Sequence, residues 1–307
     1  MTEEAATLGQ QQPALHTVRT DARSQPRPVS AAGQWLDRLS LAVVWLVSVA
    51  SLAGFATFTL RPELLNQVPG AAQVYGRMFV IAPRAQIIIA FAALALFLWQ
   101  RVQLRWIGAF VALYLLSLAS ELAGTTVGLP FGPYRYSDGL GAKLFGHVPA
   151  LIPASWFFMA LPSYALALRR FPERPQMGRR ILFGSLILLS WDLALDPAMS
   201  LVTKYWIWGT EGPYYGMPLL NLGGWYFTGL VLMAALAMLR ADRWVVALPL
   251  GWLVAFYAAN LVLPVGMSIA AGLWGAVAAT GAALFLCWLV LRMPRTTAVQ
   301  REAMVSG

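Results

Sequence analysis

The chain has 307 residues, of which 59% are hydrophobic and only 11% charged. A soluble domain carries about 25% charged residues, so with a mean hydropathy of +0.64 a water-facing surface cannot be made from this composition, and disordered or fibrous classes fail on the same numbers. The net charge of +9 resides in short Arg clusters between apolar runs rather than along one solvated face, which argues against a nucleic-acid partner.

Residues 1–38 are polar and rich in Gln, Pro, Ser and Arg, and read as a disordered cytoplasmic tail with no cleavable signal. Apolar runs long enough to cross the hydrocarbon layer then follow at 39–60, 80–99, 105–123, 150–168, 181–195, 221–239, 244–264 and 268–291. The predicted fold is therefore an all-α integral membrane protein of about eight transmembrane helices, with one domain over 39–291 and a cytoplasmic tail over 292–307. The fifth run is cut short by Asp192, Asp196 and Pro197, and the second starts weakly at Pro83 and Arg84. Cys287 lies inside an apolar run with no second cysteine to pair with.

Basic residues set the expected orientation. Arg19, Arg23, Arg27 and Arg38, then Arg101 and Arg105, then Arg169, Arg170, Arg174, Arg179 and Arg180, then Arg240 and Arg243, then Arg292, Arg295 and Arg301 fall on alternate connections. By the positive-inside rule these are cytoplasmic, so a multi-pass protein of the cell membrane with both termini in the cytoplasm is expected. The loop at 61–84, with Arg61, Arg77 and Arg84, points the other way.

The same allocation gathers the chemically interesting residues at the opposite face. Glu121 ends the third run, and Asp192 and Asp196 lie four apart near the end of the fifth, which places both carboxyls on one helix face about 6 Å apart. A carboxylate at the bilayer centre costs roughly 2.5 to 3.5 kcal/mol, less near the ends, so three of them need compensation. Low polarity and mutual repulsion would keep one protonated near neutral pH and leave a neighbour ionised, which supplies an acid and a base in one pocket. Two loops, at 124–149 and 196–220, are too rich in Gly and Pro for long helix and too aromatic for free solvation. They are expected to fold back as a re-entrant or interfacial cap, carrying Tyr134, Tyr136 and His147. Only His16 and His147 are histidines, too few for a membrane di-iron, haem or copper centre, and no glycine-rich nucleotide loop appears. No metal and no cofactor is expected. The D-x-x-x-D pair also suits a prenyltransferase that holds a magnesium diphosphate, although a second acidic motif is missing and loop cations are few. A lipid or proton transporter using the same acids as a relay is the other alternative.

The runs ELAGTTVGLPFGPYRYSD, GHVPALIPASWFFMALPSYALA, SWDLALDPAMS and YWIWGTEGPYYGMPLLNLGGWYFTG resemble the CruF-type carotenoid hydratases of bacteria and archaea, over roughly residues 115–230. The resemblance implies addition of water across the terminal C1,C2 double bond of an acyclic (psi) carotenoid end, without a cofactor, on a carotenoid substrate taken from the surrounding membrane lipids. Asp192, Asp196 and Glu121 would then share proton delivery and water activation, with Asp192 as the expected donor. Tyr134, Tyr136, Trp191, Trp225, Asn221 and His147 would form the substrate pocket. The sequence sets no oligomeric state.

Overall fold

The computed structural model describes residues 29–67 and 69–294. Most of the two expected tails, and the orientation vote carried there by Arg19, Arg23, Arg27, Arg295 and Arg301, lie outside these residues.

Among the described residues there are eight helices of 19 residues or more: α1 (Ala31–Gly54), α2 (Ala71–Val102), α3 (Ile107–Val127), α4 (Ile152–Arg170), α5 (Met177–Asp196), α6 (Leu219–Met238), α8 (Leu250–Ala270) and α9 (Trp274–Arg292), with a single short turn α7 (Asp242–Val245) before α8. Each expected run finds its helix. Boundaries differ where caps and breakers decide them. α1 starts at Ala31, ahead of the apolar run, because the Ser30 side chain accepts the Gly33 N–H at 3.2 Å and so satisfies a first-turn donor. α2 starts nine residues ahead of its run, behind Gly70 in the left-handed conformation, and α9 waits for the break at Gly272.

Six stretches are long and apolar enough to cross a membrane, and one of them, the 57 residues of Ala71–Val127, holds both α2 and α3. Its two helices are divided by a tight turn at Gln103–Trp106. The helix outside this set is α4, which carries Ser155, Trp156, Pro162, Ser163 and Tyr164, all buried. Its neighbours are α2, α3, α5, α6 and α8, so α4 is the axis of the bundle and touches protein on nearly every side. A helix so placed needs packing rather than lipid solubility. Large apolar side chains face outward instead on α1, α6 and α9, among them Leu46, Phe227 and Phe285, as the surface of a membrane protein requires.

Polar groups fix the two ends of the bundle. At one end Arg101 of α2 pairs with Asp37 of α1 at 2.5 Å, both nearly buried, and Arg180 of α5 donates to the carbonyls of Phe171 and Pro172 at 2.9 Å each. The first of these is the C-cap carbonyl of α4, which has no partner within the helix. The aromatic loops occupy the other end. Their segments β1 (Tyr134–Tyr136) and β4 (Trp206–Trp208) pair antiparallel, with Tyr134 opposite Trp208 and Tyr136 opposite Trp206, while β2 (Lys143–Leu144) and β3 (Val148–Pro149) form a second small pair. The expected cap is thus stitched by backbone hydrogen bonds, which leaves fewer peptide groups to satisfy at membrane depth. Arg84, the dissenting cation of the 61–84 loop, lies within α2 and donates to the carbonyls of Gly139 and Asp138 at 2.9 Å each. It holds the cap down, a structural task independent of charge asymmetry.

Candidate functional site: carboxyls in an aromatic cavity

Alternation along a strand puts residues i and i+2 on one face. Tyr-Arg-Tyr in β1 and Trp-Ile-Trp in β4 therefore send four aromatic rings inward while Arg135 and Ile207 stay exposed. The inward face closes a cavity of about 110 Å³. α3 contributes Glu121 to its wall, α4 contributes Trp156, α5 contributes Trp191 and Asp196, α6 contributes Asn221 and Trp225, and α8 contributes Asn260.

Two glycines allow the cap to seat. Gly128 ends α3 in the left-handed conformation, its N–H reaching the Gly124 carbonyl. At Gly124 a Cβ would stand 2.7 Å from the Phe131 ring and 2.8 Å from that of Tyr134, so only glycine lets the returning loop press onto α3.

Glu121 is fully engaged. One carboxyl oxygen accepts hydrogen bonds from the hydroxyls of Tyr134 and of Tyr136, the latter at 2.8 Å, and the other accepts from the Trp156 indole N–H at 2.8 Å. Burial, and after it the neighbouring Glu121 carboxyl, push both phenols well above their ordinary range, so both remain O–H donors through neutral and moderately alkaline pH. Asp196 is similarly held: Trp206 Nε1 donates to one oxygen at 2.8 Å and the Asn221 amide donates to the other. Asp192 is different. It is completely buried, and among the described residues neither of its oxygens has a hydrogen-bond donor. Its carboxyl stands beside that of Asp196, one turn further along α5.

The rings form a continuous lining. Trp156 and Trp225 stack with centroids 4.0 Å apart, Trp191 meets Trp225 edge-on at 5.9 Å, and Tyr134 and Tyr136 contact Trp208 and Trp206 at 5.3 and 6.0 Å. Trp191 is itself fixed by donating to the Asn260 carbonyl at 3.1 Å. The space is lined by rings and carboxyls, and among the described residues none of its lining residues is basic.

The residues expected at the site separate into groups. Glu121, Asp196, Tyr134, Tyr136, Trp191, Asn221 and Trp225 line the cavity together. Asp192 is placed behind the wall, in contact with the site through Asp196. His147 does not reach it: a turn with Phe145 and Gly146 at positive φ joins β2 to β3 and leaves His147 exposed. Asp138 is also exposed, and its Lys143 partner at 2.8 Å holds its carboxyl below the usual range. Sequence reasoning did not single out Trp156, Trp206, Trp208 or Gln86, all of which line the cavity. The matched aromatic-x-aromatic spacing of YRY and WIW was the available signal for two of them. Gln86 offered none; its Nε2 donates to Ser48 at 2.8 Å, and its Oε1 is buried without a partner among the described residues.

Fold and cavity together define a polytopic membrane protein with an acidic and aromatic site near one end of its bundle. A model of the family described as carotenoid biosynthesis protein matches residues 83–287, more than half of the chain and all three carboxyls, and the chain belongs to that family. Over 125 residues it is 36% identical to the bisanhydrobacterioruberin hydratase of Haloarcula japonica, a match covering 40% of this chain and 42% of the relative. The chain therefore aligns with less than half the length of that relative. The resemblance to CruF-type carotenoid hydratases agrees with both findings. No solved structure matches the chain significantly.

Proposed function

We propose that the protein is a cofactor-independent carotenoid hydratase, which adds water across the terminal C1,C2 double bond of an acyclic carotenoid end and produces a tertiary alcohol. The observation that carries this reading is the pairing of two differently held carboxyls in one aromatic cavity: Asp196 backed by the donor-free Asp192, and Glu121 surrounded by three donors. Family membership and the hydratase relative support the same chemistry.

In the proposed reaction, Asp192 and Asp196 share one proton, since a buried carboxyl without donors is better accommodated neutral. Asp196, the member that lines the cavity, delivers it to C2 of the olefin. A tertiary cation forms at C1, and the faces of the surrounding indole and phenol rings attract it. Water adds to C1 as Glu121 accepts one of its protons, and that proton returns to the aspartate pair to complete the cycle. One water is consumed, one C–O and one C–H bond form, and no electrons are exchanged. This assigns the donor's position to Asp196, with Asp192 as its reservoir, whereas the sequence alone pointed to Asp192 as donor. The diphosphate reading has less support, because both Asp196 oxygens already accept N–H bonds and no cationic side chain among the described residues lines the site.

Expression in a host that accumulates an acyclic carotene is expected to yield a more polar product heavier by one water, with label from heavy-oxygen water in the new hydroxyl. Unchanged carotene in membranes that contain the folded protein would end the hydratase reading. We further propose that the protein resides in the cell membrane with both termini cytoplasmic and the site toward the opposite face. A reporter fused after Gly307 should signal only from the cytoplasm; signal from the far side reverses the map.

A further inference from the structure

The acid cavity is small, and it has a neighbour several times larger. A groove of about 710 Å³ lies between the end of α1, the start of α2 and the second half of α8. Its walls are almost wholly apolar, and the Tyr75 hydroxyl that enters it is already bonded to Thr59. Val74 and Met78 border it while 61% and 46% exposed, so it opens on the outside of the bundle, between α1 and α2 toward the capped end.

Four residues, Pro83, Met199, Tyr205 and Leu263, line both spaces. The wall they make follows from one residue type. Pro83 has no N–H, so the carbonyl of Phe79, four residues earlier in α2, loses its helical donor. The Tyr205 hydroxyl supplies the substitute at 3.1 Å, and the two rings stack with centroids 5.8 Å apart. The Tyr205 side chain, tied by that one hydrogen bond, is thus one of the four that stand between the acids and the groove.

The geometry points to this groove as the seat of the substrate's polyene tail, with the Tyr205–Phe79 contact as the neck through which the terminal double bond reaches Asp196 and Glu121. The inference rests on the hydratase reading and adds to it where the rest of the molecule lies and by which side it comes in. A long conjugated chain is rod-like and apolar, and it reaches the protein dissolved among lipid tails. An apolar groove that shares a wall with the acid cavity accepts such a rod without passing it through water, whereas a cavity of about 110 Å³ takes only its end and a water. Recognition of the tail is by burial of apolar surface, so the groove selects for length.

Gly54 provides the test, because it lines the groove and a Cβ there meets nothing within 4 Å. Gly54→Trp, and independently Ala50→Trp on the same wall, should fill the groove without disturbing the core. Purified variants would be compared with the natural protein on a long acyclic polyene and on a short acyclic terpene with the same terminal double bond. The expected result is a fall of about tenfold or more in hydration of the polyene, equivalent to leaving about two of its carbons unburied, with the short terpene turned over at the natural rate. Equal behaviour of both substrates, whether unchanged or lowered together in a protein of unchanged thermal stability, overturns the inference. Binding of the polyene, followed by the shift of its visible absorption in detergent, separates the two readings. Should the natural protein bind polyene without hydrating either substrate, and Gly54→Trp abolish that binding, the reaction is wrong and the groove stands. Should Gly54→Trp bind as the natural protein does, the groove is wrong.

Discussion

Asp196→Asn is expected to lower carotenoid hydration by about 10²- to 10⁴-fold, the usual contribution of a positioned general acid, while leaving the protein folded. The fold should survive because the site can adjust. Trp206 only donates, so the oxygen of the introduced amide stays on Trp206 Nε1. Its NH₂ then faces Asn221, whose own amide can turn and present oxygen in place of nitrogen. Asp192→Asn is the informative companion. Among the described residues no donor faces either oxygen of Asp192, so an amide fits the same space and can donate to Asp196, removing the reserve proton without touching the cavity wall. A smaller loss is expected there than at Asp196. Turnover assays on membranes matched for protein content, with thermal unfolding as the control, decide the order. Near-natural turnover by Asp196→Asn would remove the proton donor from the mechanism, and a larger loss at Asp192 would return the donor's role to it.

The parts of this structure that were legible in the sequence are those governed by local rules. Apolar runs of membrane length marked each of the long helices, including α4, whose sixteen buried residues make it the least lipid-like of them. A four-residue spacing put Asp192 and Asp196 on one face, and Gly-Pro density beside Tyr134 and Tyr136 pointed to a shaped cap. What stayed hidden depends on contacts between segments far apart in the chain. The register of β1 on β4 cannot be read from either loop, so Trp206 and Trp208 went unassigned to the site. Trp156 sits in a helix with apolar neighbours and shows its purpose only when its N–H meets Glu121. His147, chosen for its chemistry, is carried away by a turn whose positive φ angles at Phe145 and Gly146 only the fold makes plain. The link from Pro83 to Tyr205 is of the same kind: a proline announces an unsatisfied carbonyl, and the chain alone does not say which side chain satisfies it.

Glu121→Gln is the second change expected to have a large effect, again about 10²- to 10⁴-fold on turnover if Glu121 is the base that takes the proton of the attacking water. An amide at this position faces three groups that now donate: two phenols on one oxygen and an indole on the other. The indole cannot reverse, so the amide oxygen must stay on Trp156 and its NH₂ must turn toward the tyrosines. A phenol can accept as readily as it donates, and a rotated Tyr134 or Tyr136 hydroxyl receives that NH₂. The substitution is thus compatible with the cap, at a stability cost within about 1–3 kcal/mol for any bond that fails to re-form. Tyr134→Phe discriminates between loss of the base and loss of the cap, since it removes one donor from Glu121 and keeps the carboxylate. If Glu121 acts chemically, Tyr134→Phe retains most of the turnover and Glu121→Gln loses it, although both have similar melting temperatures. If Glu121 only anchors β1 to α3, the two variants lose activity in proportion to stability, and the mechanism is left with an acid and no base.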